Sequence, residues 1–156
     1  LSAFSMDPGI TPAPIDLNEL VREVAAGLRG TIRSRVVEDL WEPLAVFVDR
    51  GEFGRVITNL VMNAEEAMDG EGEIRLSTRA RNGKAVLSVE DNGCGMPPEF
   101  VRDELFKPFR TTKSHGFGIG LYQARRIVNA HGGAIEVESA PGRGTIFRIL
   151  LSPLEG

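Results

Sequence analysis

The sequence predicts an α+β fold, a two-layer α/β sandwich with a mixed, mostly antiparallel sheet of about five strands packed on about three helices. Three segments place apolar residues at the i, i+3, i+4 spacing of an amphipathic helix. Two pairs of alternating segments, 73–79 with 84–90 and 134–139 with 144–151, are close enough in sequence to form hairpins. Hairpins interspersed with helices favour strands in one layer and helices in the other.

Capping residues and apolar stripes predict the three helices. Asp16 followed by Glu19 forms a capping box for the first helix. Its stripe consists of Leu17, Leu20, Val21, Val24 and Leu28. The second helix begins near Glu52, and its stripe consists of Phe53, Val56, Ile57, Leu60, Val61, Ala64, Ala67 and Met68. The third covers 118–131 and ends at Gly132 and Gly133.

Proline and glycine indicate where the domain begins. Residues 6–15, MDPGITPAPI, cannot form a helix and are interpreted as a linker, so the predicted domain covers 16–156. Short strands are predicted at 32–39 and 44–48, on either side of Trp41-Glu42-Pro43.

Composition excludes several classes of function. The formal charge is −4 with acids and bases interspersed, so no basic face predicts contact with nucleic acid or an anionic membrane. Cys94 is the only cysteine, which excludes an intrachain disulfide or a multi-cysteine metal site and suits a reducing compartment. No apolar run approaches the roughly 20 residues that span a bilayer. We therefore predict a cytoplasmic domain without membrane contact.

Asp91, in the stretch DNGCGM, continues the inward face of a predicted strand. The earlier residues on that face are Ala85, Leu87 and Val89. Because an unpaired buried carboxylate is costly, Asp91 needs a partner. Asp91 could have a structural role, in which it caps a short helix at 97–103 or turns the chain. Alternatively, it accepts a hydrogen bond from a ligand. If it binds a ligand, Gly93 and Gly95 would let that ligand approach the backbone.

Asn59, Asn63 and Glu66 form a polar row on one flank of the second helix. Asparagine is unfavourable inside a helix, which suggests another reason for its presence. The row is either an ordinary solvated flank or a ligand site. An amide oxygen beside a phosphate chain is a reasonable Mg²⁺ ligand, since Mg²⁺ takes oxygen donors and is usually shared with substrate phosphates.

Glycines at 116, 118 and 120 stand directly before the third helix, in SHGFGIGL. Their bare N–H groups at the positive end of a helix suit a phosphate. No parallel strand precedes them and no Walker lysine follows, so neither the dinucleotide fingerprint nor the P-loop fits. Upstream, the segment 106–113 contains few apolar positions and is predicted to be a mobile lid anchored by Phe106 and Phe109.

Five motifs in this order resemble those of one family. They are NLVMNAEEAM (59–68), DNGCGM (91–96), LFKPFRTTK (105–113), GFGIGL (116–121) and GRGTIF (142–147). They are similar to the boxes of the ATP-binding catalytic domain of sensor histidine kinases, in the GHKL superfamily of gyrase, the 90-kDa heat-shock proteins and mismatch-repair ATPases. The resemblance runs from about residue 16 to 151. The lid, with its Thr-Thr-Lys, is most similar to the nitrogen-regulation type.

The resemblance implies a role for each motif residue. Asp91 corresponds to the aspartate that accepts from the adenine amino group, and Thr145 to the threonine that reaches adenine through water. Asn63 corresponds to the Mg²⁺ ligand, and Asn59 to its companion near the phosphates. The remaining implied nucleotide-binding residues are Gly93, Gly95, Gly116, Gly118, Gly120 and Leu121. Lys113 is implied to meet phosphate when the lid closes, and Asn59 and Lys113 are the implied catalytic residues.

The implied function is transfer of the γ-phosphoryl group of Mg²⁺-ATP to a histidine. That histidine is expected on the dimerisation domain of a longer parent, a homodimer, because His115 and His131 do not lie in the family's phosphoacceptor motif. Residues 1–5, LSAFS, resemble the end of that domain's helical hairpin. A response regulator receiver domain is the implied further partner. The alternatives are a self-contained ATPase and a noncatalytic nucleotide-sensing domain.

Overall fold

The computed structural model describes residues 9–68, 71–108 and 119–154. The strands are β1 (Ala13–Asp16), β2 (Arg35–Asp39), β3 (Ala45–Val48), β4 (Glu73–Arg81), β5 (Lys84–Asp91), β6 (Ala134–Ser139) and β7 (Thr145–Leu151). The helices are α1 (Leu17–Leu28), α2 (Arg50–Ala67), α3 (Pro98–Asp103) and α4 (Gly120–Ala130). None of the helices in the described ranges is long and apolar enough to cross a membrane.

The main sheet has five strands in the order β2-β4-β5-β7-β6. β2 pairs with β4 in parallel, and the other neighbours are antiparallel, including the two predicted hairpins β4–β5 and β6–β7. Helices α2 and α4 contact each other and form the second layer with α1. The predicted mixed, mostly antiparallel two-layer fold is therefore confirmed.

The segment 6–15, interpreted as a linker, contributes to a strand that the sequence analysis did not predict. Residues 13–16 form β1, which pairs antiparallel with β3 in a small second sheet. Pro14 is tolerated because a proline at a sheet edge need not donate a ladder hydrogen bond. Part of the predicted linker thus belongs to the folded domain.

The predicted stripe of α2 forms the centre of the core. Its buried members are Phe53, Val56, Ile57, Leu60, Val61 and Ala64. The helix begins after Asp49, whose carboxylate accepts from the Glu52 N–H at 3.1 Å and from the Thr11 N–H at 2.8 Å. These hydrogen bonds, the one from Thr11 being the stronger influence, hold the pKa of Asp49 below its usual value. One side chain therefore caps α2 and fixes the chain that leads into β1.

His131 is the C-cap residue of α4. Its Nδ1 lies 2.8 Å from the Ile127 carbonyl oxygen, and its Nε2 accepts from the Asp49 N–H at 2.9 Å. The Nδ1–H tautomer satisfies both contacts, since a backbone amide can only donate and a carbonyl can only accept. His131 thereby joins the end of α4 to the start of α2.

A buried polar cluster fixes the loop between β2 and β3. Asn18 and Thr78 are fully buried, and the Thr78 hydroxyl donates to Asn18 Oδ1 at 2.7 Å. The Trp41 N–H donates to Thr78 Oγ1 at 2.8 Å, and Asn18 Nδ2 donates to the Trp41 carbonyl at 2.6 Å. The cluster thus joins α1, β4 and the Trp41 backbone.

We expect Thr78→Val to lower the free energy of unfolding by about 1–3 kcal/mol, because it removes a hydrogen-bond partner from the Trp41 N–H and from the side chain of the fully buried Asn18. Urea denaturation measures the change. Thr78→Ser keeps the hydroxyl and is the matched control, although it deletes a methyl group. Equal losses in the two variants would show that packing, and not the hydrogen bonds, is what Thr78 contributes.

Candidate functional site

Asp91 and Thr145 form a buried polar pair in the main sheet. They are cross-strand partners at the end of β5 and the start of β7, and each side chain is only 4 % exposed. Both lie on the inward face, which Val89 and Phe147 continue into the core. The inward position predicted for Asp91 is therefore confirmed, and Thr145 shares it.

The Asp91 carboxylate also shapes its own turn. Its Oδ1 accepts from the Gly93 N–H at 2.9 Å, the local hydrogen bond typical of an Asx turn. The N-cap residue of α3 is Pro97, and among the described residues no side chain forms a capping hydrogen bond there. Of the two structural alternatives, the turn is present and the helix cap is not. A carboxylate has about four lone-pair sites, so the turn is compatible with binding a ligand donor.

Glycines let three backbone segments approach closely around this pair. A Cβ on Gly95, whose φ is +72°, would collide with the Ala140 carbonyl, and one on Gly144 with the Asp91 carbonyl. A Cβ on Gly93 would lie 2.7 Å from the Ala67 oxygen at the end of α2. Gly93 and Gly95 were predicted to lack side chains so that a ligand can approach the backbone. The structure gives backbone packing as a reason for both, and their contact with a ligand stays a prediction.

Cys94 lies between these glycines and is exposed. The backbone, and not the thiol, makes the packing contact, since the Cys94 carbonyl accepts from the Gly142 N–H at 2.7 Å.

Ser139 is a site residue that the sequence analysis missed. It ends β6 and pairs in register with Thr145. Its Oγ lies 2.7 Å from Thr145 Oγ1, and it also contacts the Met96 N–H and the Gly144 carbonyl. The signal was present in the predicted hairpin, because the last residue before a tight turn faces the first residue after it.

The asparagine row of α2 connects the two ends of the site. Asn59, Asn63 and Ala67 are spaced four residues apart and span about 12 Å along the helix. Asn59 Nδ2 donates to the Gly120 carbonyl at 3.1 Å, and Ala67 contacts Gly93 as described. Asn63 is half-buried between them. The row therefore extends from the first residue of α4 to the turn after Asp91.

Helix α4 begins at Gly120 and buries Leu121 in the core. Its N-cap residue is Ile119, and no side chain of the described residues caps it. The predicted residues Lys113, Gly116 and Gly118 lie outside the described residues, as do His115, Phe109 and most of the predicted lid.

Phe106, at the start of the predicted lid segment, lies beside the site. Its ring packs edge-on against Phe147, with centroids 6.5 Å apart. The Arg125 guanidinium of α4 lies 5.0 Å from the centre of the same ring. Phe106 thus joins β7 to α4, and its predicted role as an anchor of the lid stays a prediction.

A divalent cation at this site would need oxygen atoms from a ligand. Within residues 9–68, 71–108 and 119–154, no three His, Cys, Asp or Glu side chains gather into a metal cluster. The half-buried amide of Asn63 offers one oxygen donor of the kind that Mg²⁺ accepts. Among the described residues, the donor set therefore fits Mg²⁺ shared with phosphates and does not fit a cage of His, Cys, Asp and Glu side chains.

Comparison with known proteins agrees with this geometry. Residues 48–155 match the family described as histidine kinase-, DNA gyrase B- and HSP90-like ATPases. This chain belongs to that family. The matched range contains every candidate site residue from Asn59 to Thr145.

Relatives of this ATPase domain are sensor kinases. The chain is 36 % identical over 142 residues to the signal transduction histidine-protein kinase AtoS of Escherichia coli strain K12, covering 88 % of this chain and 23 % of AtoS. It is 32 % identical over 175 residues to the sensory histidine kinase/phosphatase NtrB of Rhizobium meliloti strain 1021, covering all of this chain and 45 % of NtrB. The chain thus spans less than half of these relatives.

A solved structure supports the same fold. The histidine kinase ThkA, in complex with the response regulator protein TrrA, superposes with a TM-score of 0.79 at 32 % identity. The match covers 92 % of this chain and 42 % of that one. This chain therefore has the fold of the ATPase domain of histidine kinases.

Gly95 and Gly142 offer a matched pair for testing the backbone packing of the site. Both have positive φ, +72° and +78°, so an alanine at either costs about 1–2 kcal/mol of left-handed strain. Only at Gly95 does the added methyl meet a backbone carbonyl, whereas at Gly142 it meets open space. We expect Gly95→Ala to lower the free energy of unfolding clearly more than Gly142→Ala. Equal losses in urea denaturation would contradict the close packing of the turn.

Proposed function

We propose that this domain binds Mg²⁺-ATP and donates the γ-phosphoryl group to a histidine on the dimerisation domain of its parent kinase. The observation on which this rests is the buried Asp91 carboxylate opposite Thr145, at one end of the α2 asparagine row. Membership of the ATPase family supports it independently.

Adenine is the base whose hydrogen-bonding groups suit the Asp91 end of the site. A carboxylate buried at a strand end is an acceptor, and the exocyclic amino group of adenine is a donor. The resemblance to the family assigns this contact to Asp91 and a water-mediated contact to Thr145. Gly93 and Gly95 are proposed to approach the base through their backbones.

The triphosphate is proposed to extend along α2 toward α4. Asn63, in the middle of the row, is the proposed Mg²⁺ ligand, and Asn59 lies beside the phosphates. The start of α4, at Gly120 and Leu121, presents backbone N–H groups that suit an anion. Lys113, Gly116 and Gly118 are proposed to complete the phosphate site on the strength of the motif resemblance.

The proposed reaction needs positioning more than covalent chemistry from this domain. The bond from the γ-phosphorus to its bridging oxygen breaks, ADP leaves with the electron pair, and an unprotonated imidazole nitrogen forms the new bond. Holding the phosphates and neutralising their charge provide most of the rate in such reactions. Asn59 and Lys113 are the proposed catalytic residues for this step.

A self-contained ATPase is disfavoured by Asn59. Family members that hydrolyse ATP resemble this motif but place a glutamate four residues before the Mg²⁺ asparagine, where it activates water. Asn59 occupies that position and cannot act as a general base. Retention of all five motifs likewise disfavours a noncatalytic nucleotide sensor.

The partners are inferred from the relatives. A response regulator receiver domain is the proposed acceptor of the phosphoryl group from the histidine, since ThkA is solved with a response regulator. We propose a homodimeric parent of the nitrogen-regulation type, supported by the Thr-Thr-Lys motif and the likeness to NtrB, with this domain in the cytoplasm.

Phosphotransfer tests the proposed function directly. With γ-labelled ATP and Mg²⁺, we expect this chain to label the histidine-bearing domain of its parent and not to label itself. Steady-state phosphate release should stay near the blank. Rapid phosphate release without transfer would indicate an ATPase. Binding of ATP with neither phosphotransfer nor hydrolysis would indicate a nucleotide sensor.

Asn63→Ala tests the magnesium ligand. We expect it to weaken ATP binding in Mg²⁺ much more than ATP binding in EDTA, because only the first requires the amide oxygen as a metal ligand. Isothermal titration in the two buffers measures both affinities. Thr58→Ala, a half-buried position on another face of the same helix, is the control for a general effect on α2. Equal losses with and without metal would remove Asn63 from the ligand role.

Asp91→Asn tests the base contact. Guanine places a carbonyl oxygen where adenine has its amino group, so the wild-type protein should bind ATP at least about tenfold more tightly than GTP, a difference of roughly 1.4 kcal/mol. The asparagine amide can donate to that oxygen, which should narrow the preference. Titration of both nucleotides against both proteins decides it. Undiminished adenine preference in the variant would mean that Asp91 only shapes its turn.

A further inference from the structure

Ser139 Oγ is surrounded by three polar groups from two segments of the chain. The Met96 N–H donates to it at 2.9 Å, the Gly144 carbonyl lies 3.1 Å away, and Thr145 Oγ1 lies 2.7 Å away. Ser139 is half-buried, and both Gly144 and Thr145 are buried. The function proposed above assigns no role to Ser139.

The chemistry of the three neighbours determines where the hydroxyl protons lie. A serine hydroxyl has one hydrogen and two lone pairs. The Met96 amide can only donate, so it takes one lone pair, and the Gly144 carbonyl can only accept, so it takes the serine hydrogen. The second lone pair is then left for the hydrogen of Thr145. Under this assignment all three contacts are hydrogen bonds, and the Thr145 hydroxyl is the donor to Ser139.

From this geometry we infer that Ser139 is a positioning residue for base specificity, because it makes Thr145 an acceptor toward the nucleotide. Asp91, the cross-strand partner of Thr145, is also an acceptor. The two side chains would then present acceptors to the same edge of the base. This inference rests on the proposed binding of ATP at this site.

Such an edge selects purines by the group at position 6. An amino group, or a water that donates to the ring nitrogen beside it, satisfies the two acceptors. A 6-keto purine instead presents a carbonyl oxygen at position 6, where acceptor meets acceptor, while its protonated ring nitrogen is a donor that an acceptor can satisfy. Rejecting such a base therefore depends on Thr145 being unable to rotate its hydrogen toward that carbonyl oxygen, directly or through a bound water. Ser139 provides that restriction.

The experiment compares ATP with ITP, which differs from ATP only in the 6-keto group and the protonated N1 of its base. Equilibrium titrations with both nucleotides are made on the wild-type chain, Ser139→Ala and Ser139→Thr. We expect Ser139→Ala to lower the ATP-to-ITP affinity ratio about fivefold, the effect of one neutral hydrogen bond. Ser139→Thr retains the hydroxyl and should keep the wild-type ratio.

A purely structural role for Ser139 predicts a different outcome. It would weaken ATP and ITP binding in parallel and leave the ratio unchanged, which would overturn the inference. Thermal melting shows whether the Ser139→Ala variant is folded. If that variant is unfolded, Ser139→Cys is tested in its place, since cysteine has a similar shape and a weaker hydrogen-bonding group.

A double-mutant cycle assigns the effect to Thr145. In a Thr145→Val background, Ser139→Ala should no longer change the ratio, because no hydroxyl is left to rotate. The same fall in the ratio with and without the Thr145 hydroxyl would contradict the inference. Absence of ATP binding by the wild-type chain would instead refute the proposed function, so the two failures are distinguishable.

Discussion

The antiparallel pairing of β5 with β7 is the constraint on which the candidate site depends. Leu87 with Ile149, and Val89 with Phe147, are buried cross-strand pairs that fix the register. The next inward pair is Asp91 with Thr145. Because side chains alternate between faces, a slip of either strand by one residue would turn its polar group away from the core together with its apolar residues. The same hydrophobic burial that stabilises the sheet thus delivers a carboxylate to a buried position.

Placing that pair at the strand ends imposes close packing on the turns that follow. The turn after β5 must pass the turn between β6 and β7 and the end of α2, and the glycines at 93, 95 and 144 make the space. The Gly142–Cys94 backbone hydrogen bond and the contacts of Ser139 then join the two turns. The result is a preorganised edge in which little side-chain freedom is lost when a base binds.

Periodicity and capping predicted most of the fold because they are local signals. The stripe of α2, the Asp16 cap of α1 and both hairpins are confirmed. β1 was missed because its proline-rich sequence has low strand propensity and pairs with β3 only through tertiary structure. The inward position of Asp91 followed from strand alternation. The contacts of Ser139 and the bond from Asn59 to Gly120 join distant segments, and neither was foreseen.

The identity of residue 59 links the chemistry of the site to its architecture. Asn59 both occupies the place of a water-activating glutamate and donates to the carbonyl of Gly120, the first residue of α4. An ionised glutamate there is acceptor-only, so its carboxylate would face that carbonyl without a hydrogen to share. The start of α4, where the phosphates are proposed to bind, is therefore held by the same side chain that, in the proposed function, replaces the base needed for hydrolysis. Under that proposal, a change from phosphoryl transfer to hydrolysis at this site would require another way of holding α4 as well as a new base.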